Sequence, residues 1–369
     1  MNSKNKHYSA LLIFLLFALI SNAQTYGQAK YPAPVEGDYA ISDFHFASGE
    51  IFPFLNMHYN SIGTPILNKD GKISNAVLVM HGTSGSSKNF LTDGFAGELF
   101  GPGKILDAAK YFIIMPDALG HGKSSKPSDG FHMRFPKYTY DDMVLADFRL
   151  LTEHLNINHL RLVMGTSMGG MHTWVWGYTY PGFMDALMPL ASLPVTIAGR
   201  NRILRKMAID CIEMDPEWKA GEYKQEPQLG MRGAISSFIF MVSSPLQWQK
   251  NAPTRELAET MMDNLEKKYA ATLDANDFIY QLDASRNYNP QPYLGKITAP
   301  LFAINSADDQ VNPPELGIME KEIKNVKNGR YVLLPITDKT NGHGTHSIPS
   351  IWGEYLQELL KISRTIIIN

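Results

Sequence analysis

Leu160-Arg161-Leu162-Val163-Met164 runs directly into Gly165-Thr166-Ser167-Met168-Gly169, and Gly170-Met171-His172-Thr173-Trp174 follows. The first five residues predict a short buried strand and the last five the opening of a helix. Between them lies G-x-S-x-G, a nucleophile elbow. Its serine sits on a strained strand-to-helix turn, and side chains at the flanking positions would collide with that turn. A five-residue motif is weak alone, but a strand before it and a helix after it supply the context it requires. Ser167 is therefore the candidate nucleophile.

Outward from the elbow, further apolar runs repeat the strand rhythm. Ala76–Met80 leads into His81-Gly82-Thr83-Ser84-Gly85, and Phe112–Met115 ends at Pro116-Asp117. After Ser192 the pattern turns to amphipathic helical segments up to about Tyr288. Leu301–Ile304 and Tyr331–Leu334 then resume the strands, and Ile351–Ile362 reads as a closing helix. Alternating strands and helices predict an α/β fold with a mostly parallel central sheet and helices on both faces. The helical stretch reads as an inserted cap over the strand ends, where open α/β sheets hold ligands. The expected organisation is 1–23 signal peptide, 24–192 first part of the core, 193–289 helical cap and 290–369 second part of the core.

A serine nucleophile needs an oxyanion hole, an acid and a base. The Met168 amide, at a helix start, is one expected oxyanion donor. The loop after Ala76–Met80 should supply the other, with Thr83 the donor position and His81 a loop-ordering residue. The acid should follow the serine and precede the histidine. Leu301–Ile304 runs into Asn305-Ser306-Ala307-Asp308-Asp309, and neighbouring carboxylates on extended backbone point opposite ways. Asp309 is favoured by its turn spacing between Ser306 and Pro313; Asp308 is its rival. The base should ride a loop beyond the last strand, where Asn341-Gly342-His343-Gly344-Thr345-His346 lies. His343 is the first choice and His346 the alternative. The H-x-x-H spacing does not read as a metal pair, because no glutamate completes a zinc-protease helix. Gly122-Lys123-Ser124 is not the end of a phosphate loop: the required earlier glycine falls at Asp117. His121, in the turn following Asp117, reads as structural.

Composition narrows the partners. The 369 residues carry 34 Lys and Arg against 36 Asp and Glu, a net charge of -2. No basic field suits nucleic acid, and no polybasic tract suits an anionic membrane. Lys4 and Lys6 precede the apolar run Ala10–Ile20, and Ser21-Asn22-Ala23 follows. That arrangement predicts a cleaved signal peptide, a secreted or periplasmic location and no stable membrane anchor. The single Cys, Cys211, permits no internal disulfide. It lies in a helical pattern with Arg205, Ala208, Ile209 and Ile212, and reads as a buried small residue without a catalytic role.

The stretch Gly165–Met171, with Trp176, Tyr180-Pro181 and Pro189-Leu190-Ala191-Ser192 beyond it, resembles the homoserine O-acetyltransferase family of the α/β-hydrolase superfamily. Phe135-Pro136 and Tyr138–Val144 upstream are similar to that family's approach to its nucleophile. Met207-Ala208-Ile209, Asp215–Trp218, Gly221-Glu222-Tyr223 and Pro227–Met231 are similar to the start of its cap. The resemblance implies an α/β-hydrolase fold, a Ser-Asp-His triad, a ping-pong acyl-enzyme route, no bound cofactor and, in many members, a homodimer. Carried over, Ser167, Asp309 and His343 fill the triad positions.

Two departures bear on the substrate. The family's arginine for the homoserine carboxylate aligns with Ile235, with Arg232 the nearest cation, and its Gly-His-Asp becomes Gly342-His343-Gly344. Loss of a bidentate clamp weakens amino-acid specificity. Together with the export signal, this favours water as the acceptor, hence hydrolysis of a small-molecule acyl ester, with O-acyl transfer as the alternative. The helical segment holding Phe238, Phe240, Met241 and Trp248 is expected either to line an acyl pocket or to form ordinary cap core.

Overall fold

The computed structural model describes residues 30–69 and 71–368, so the signal-peptide reading of 1–23 lies outside the described residues. Eight strands form one sheet: β1 (Val35–His45), β2 (Ile51–Ile62), β3 (Ala76–Met80), β4 (Phe112–Pro116), β5 (Leu162–Thr166), β6 (Leu187–Leu190), β7 (Leu301–Ser306) and β8 (Gly329–Leu334). Their order is β1-β2-β4-β3-β5-β6-β7-β8. β1 with β2 and β2 with β4 are antiparallel, and every other pair is parallel.

Period-2 side-chain direction explains why β3, β4 and β5 are apolar throughout. Leu78, Met80 and Val163 enter the core on one face, with Trp174 and Trp176. Val77, Val79, Leu162 and Met164 enter the core on the other, with Trp352 and Leu356. Both faces are thus covered by helices. α1 (Tyr140–Arg149) and α2 (Met168–Thr179) pack on the first face. α1 starts where Thr139 and Asp142 cap each other's backbone amides, a reciprocal capping box.

Three strands do not announce themselves in the sequence. β1 and β2 form a long hairpin in which only Ile41 and Phe44 of β1 are buried. Gly37 and Tyr39 are half-buried, and the exposed β1 positions include Glu36, Asp38, Ser42 and Asp43, as edge strands tend to. β6 carries Pro189, which removes a ladder donor, yet it pairs with both β5 and β7. β5 also starts two residues later than expected and runs on to Thr166. Leu160 forms only an isolated bridge to Met184, while Gly165 and Thr166 pair with Pro189 and Leu190.

Between β6 and β7 come α3 (Gly199–Glu213), α4 (Gln228–Met241), α5 (Pro245–Asn251), α6 (Arg255–Ala270) and α7 (Ala275–Asp283). They bury a separate apolar cluster that includes Ala208, Ile212, Ile235, Phe278 and Leu282. α7 fastens this insertion to the loops beyond β4. Gln281 donates to the Gly120 carbonyl at 2.9 Å, and Asp277 accepts from the Ser128 amide and hydroxyl at 2.8 and 2.7 Å. Cys211 on α3 is half-buried, not fully buried as expected, because its helix lies against the Gly230 and Gly233 backbone of α4 and leaves one side open. α8 (Pro349–Ile368) closes the chain. No single helix among the described residues is long and apolar enough to cross a membrane.

Candidate active site

β3 and β5 are neighbours, with Met80 opposite Gly165, so the loops leaving their C-terminal ends meet. Ser167 stands at that meeting point with φ 55° and ψ −111°, a conformation that costs a non-glycine residue free energy and is held by its surroundings. The Ser167 amide donates to the Leu190 carbonyl at 2.9 Å, and the Gly169 amide to the His81 carbonyl at 2.9 Å. A Cβ on Gly165 would lie 2.2 Å from the Gly169 backbone, and one on Gly169 would lie 2.1 Å from the Met80 carbonyl oxygen. The two motif glycines are therefore required by contact between β3, β5 and α2.

Ser167 Oγ lies 2.7 Å from His343 Nε2, and His343 Nδ1 lies 2.9 Å from Asp309 Oδ2. With Nδ1–H donating to the carboxylate, Nε2 is left as an acceptor for the serine proton. Asp309 also accepts from the Val311 amide at 2.8 Å and from Asn312 Nδ2 at 3.1 Å. Burial pushes the Asp309 carboxyl up, but the His343 charge and these hydrogen bonds outweigh it and hold it below the ordinary carboxylate range.

The two rivals occupy other places. Asp308 accepts from Ser306 Oγ at 2.5 Å and from the Gly342 amide at 2.9 Å, pointing away from the imidazole. His346 bonds through Nδ1 to Ser347 Oγ at 2.9 Å, and its carbonyl accepts from Trp352. Burial and then the His343 charge lower its pKa to about 3, so it is neutral. Among the described residues no group of three His, Cys, Asp or Glu is placed to hold a metal ion.

The loop after β3 lies against Ser167: a Cβ on Gly82 would sit 3.3 Å from Ser167 Cβ. Thr83 lines the same cavity as Ser167, and Met168 is the first residue of α2, where amides lack an intrahelical acceptor. His81 orders this loop, its Nε2 accepting from the Ala118 amide at 3.0 Å and its Nδ1 meeting the Gly82 carbonyl at 2.8 Å. His121 is likewise buried beside its own loop, Nδ1 3.1 Å from the Leu119 carbonyl.

The cavity over Ser167 encloses about 350 Å³ and is roofed by Phe238 and Met241 of α4 and by Val242 just beyond it. Phe240 points to solvent beneath Arg200, and Trp248 packs on the cap cluster, so neither lines it. Ile235 is buried in the cap's own core, and Arg232 is on the surface, 2.9 Å from Glu266. The cation that does line the cavity is Arg205 of α3, which is 2% exposed. Its signal in the sequence is an arginine on the apolar stripe of an amphipathic helix.

The family model for the α/β-hydrolase fold matches residues 75–335. A homoserine O-acetyltransferase of Pelobacter propionicus is 30% identical over 348 residues, covering 84% of this chain and 91% of that protein. A probable acyltransferase of Methanothermobacter thermautotrophicus is 31% identical over 279 residues, covering 75% and 84%. Among solved structures, the homoserine O-acetyltransferase from Bacillus anthracis superposes with a TM-score of 0.77 at 22% identity, covering 89% of this chain and 98% of that one. Esterase E22 does so with a TM-score of 0.77 at 20% identity, covering 89% and 100%. The chain belongs to the α/β-hydrolase family and, within it, to the homoserine O-acetyltransferase-like members. It is an enzyme acting on acyl esters.

Proposed function

We propose that the protein is an O-acyltransferase of the homoserine O-acetyltransferase type, working through an acyl-enzyme on Ser167. The observation that carries this reading is the unbroken path from Ser167 Oγ to His343 Nε2 and from His343 Nδ1 to Asp309 Oδ2. His343 Nε2 takes the Ser167 proton as Oγ bonds to the acyl carbon, and the carbonyl oxygen becomes an oxyanion facing the Met168 and Thr83 amides. Collapse breaks the bond to the leaving group, which takes the proton from His343. An acceptor hydroxyl then gives its proton to Nε2 and its oxygen to the acyl carbon, and Ser167 Oγ leaves and is reprotonated. Relatives named for O-acetyl and O-succinyl transfer support a hydroxyl acceptor.

Hydrolysis, with water as the acceptor, is the second reading. The basic residues and apolar run of 4–20 favour it, because a secreted or periplasmic enzyme is separated from cytoplasmic coenzyme A thioesters. The test is product analysis with acetyl or succinyl thioester and 4-nitrophenyl acetate as donors, in the presence of L-homoserine or L-serine. O-acyl product dependent on Ser167 is expected. Release of free acid alone favours the second reading, and no Ser167-dependent turnover of any donor overturns both.

A further inference from the structure

Arg205 stands in the catalytic cavity with its charge uncompensated by the protein. A guanidinium remains protonated at any working pH and offers five N–H donors. Here Nε donates to Asn201 Oδ1 at 2.9 Å and Nη1 to the Leu282 carbonyl at 3.3 Å. Both acceptors are neutral. Tyr140 is a further polar neighbour, also neutral, and among the described residues no carboxylate comes within ion-pair distance. Asp283, next to Leu282, faces Arg202 at 3.8 Å and Arg286 at 3.2 Å instead.

The groups around this cation are neutral as well. The Thr83 and Tyr140 hydroxyls are buried beside it, and Tyr140 has Ser285, Arg205 and Thr83 as its polar neighbours. Burial raises the Tyr140 phenol, and the Arg205 charge beside it opposes that rise, which places the two groups together. Thr83 and Arg205 line the cavity that holds Ser167 and His343. A desolvated, unpaired guanidinium is costly, and one kept at the wall of a reaction cavity is suited to an anion that arrives with the substrate.

We propose that Arg205 is the anion-docking residue of this site and that the substrates carry a carboxylate. The guanidinium fork meets the two carboxylate oxygens while the ester reaches Ser167, and Thr83 and Tyr140 add hydroxyl donors. The carboxylate belongs either to the acyl group, as in a dicarboxylic half-ester, or to the hydroxyl acceptor, as in a hydroxy acid. This inference rests on the acyl-enzyme reading above.

The test compares charged with neutral partners in each half. The acyl arm measures kcat/KM for 4-nitrophenyl hemisuccinate against 4-nitrophenyl acetate. The acceptor arm measures partition of the acetyl-enzyme to L-serine against L-serine methyl ester. The wild type is expected to prefer the carboxylate about 10- to 100-fold in one arm, which also identifies the half that carries it. Arg205→Gln is expected to lose that preference. Arg205→Lys, which keeps the charge without the fork, is expected to fold and to retain a small part of it. No preference in either arm of the wild type overturns the proposal without recourse to a variant, and so does a preference that survives Arg205→Gln. Lack of Ser167-dependent turnover of the neutral acetate ester is a different result, and it counts against the acyl-enzyme.

Discussion

Asp308 Oδ2 accepts the Gly342 amide at 2.9 Å, while its neighbour Asp309 reaches the His343 ring at 2.9 Å. One pair of adjacent carboxylates thus holds both the loop that carries the imidazole and the imidazole itself. Asp308→Ala should free the loop without touching the ring. Loss of its hydrogen bonds to a charged acceptor should destabilise the fold by about 1.5–3 kcal/mol. Displacement of His343 should cut kcat/KM by about 10- to 100-fold. Thermal melting and ester turnover on the same preparation check both.

Asp309→Asn should keep the fold and lose the tautomer. The amide can present an NH₂ to Nδ1, which turns the Nε2 proton toward Ser167, so turnover should fall by about 10⁴-fold. The sign of its pH effect follows from the lowered carboxyl. Stability from Asp309 is present above the unfolded value of about 3.9 and is lost as pH falls through the lower folded value. Acid unfolding of the wild type should show that loss, and the Asn variant should lack it.

Much of this arrangement is legible in the sequence, and the reasons for the exceptions are physical. The elbow is readable because Gly165 and Gly169 are demanded by backbone contacts within a few residues and across to Met80. Turn spacing favours Asp309 over Asp308 as the acid, but what separates them is tertiary: the Gly342 amide takes Asp308 and leaves Asp309 to the ring. β1 escapes because an edge strand with one buried face carries little apolar periodicity, β2 because its buried run includes the polar His58, Asn60 and Ser61, and β6 because Pro189 reads as a breaker. The resembled family's arginine aligns with Ile235 on α4, which is buried in the cap's own core. Arg205 comes from the preceding helix, which alignment along the chain does not bring to the pocket.

Gly169→Ala should be among the most damaging small changes in the core. Its methyl would lie 2.1 Å from the Met80 carbonyl oxygen, so β3 or α2 must move, at a cost of about 3 kcal/mol, the upper end for overpacking. Gly295→Ala, where nothing lies within 4 Å of the added methyl, should stay within about 0.5 kcal/mol of wild type. Denaturant midpoints for the two variants give the comparison.

Asp277 supplies a pH signature of the cap. Burial and then the Asp274 charge raise its carboxyl to about 7, against the opposing Ser128 hydrogen bonds. The folded state therefore holds a proton that the unfolded chain releases near 4. Stability from this group is fully present below about 4 and lost as pH rises toward 7. Asp277→Asn should narrow the difference in melting temperature between pH 5 and pH 8. An unchanged difference would show that Asp277 ionises normally.

Ser167, held 2.7 Å from His343 Nε2, is the proposed nucleophile on which the acyl-enzyme depends. Reaction with a fluorophosphonate, followed by mass spectrometry of the digested protein, tests it most directly. One adduct is expected, on the peptide containing Ser167, absent from Ser167→Ala and much slower to form in His343→Ala. No adduct on the folded wild type, or an adduct on another residue that persists in Ser167→Ala, would contradict it.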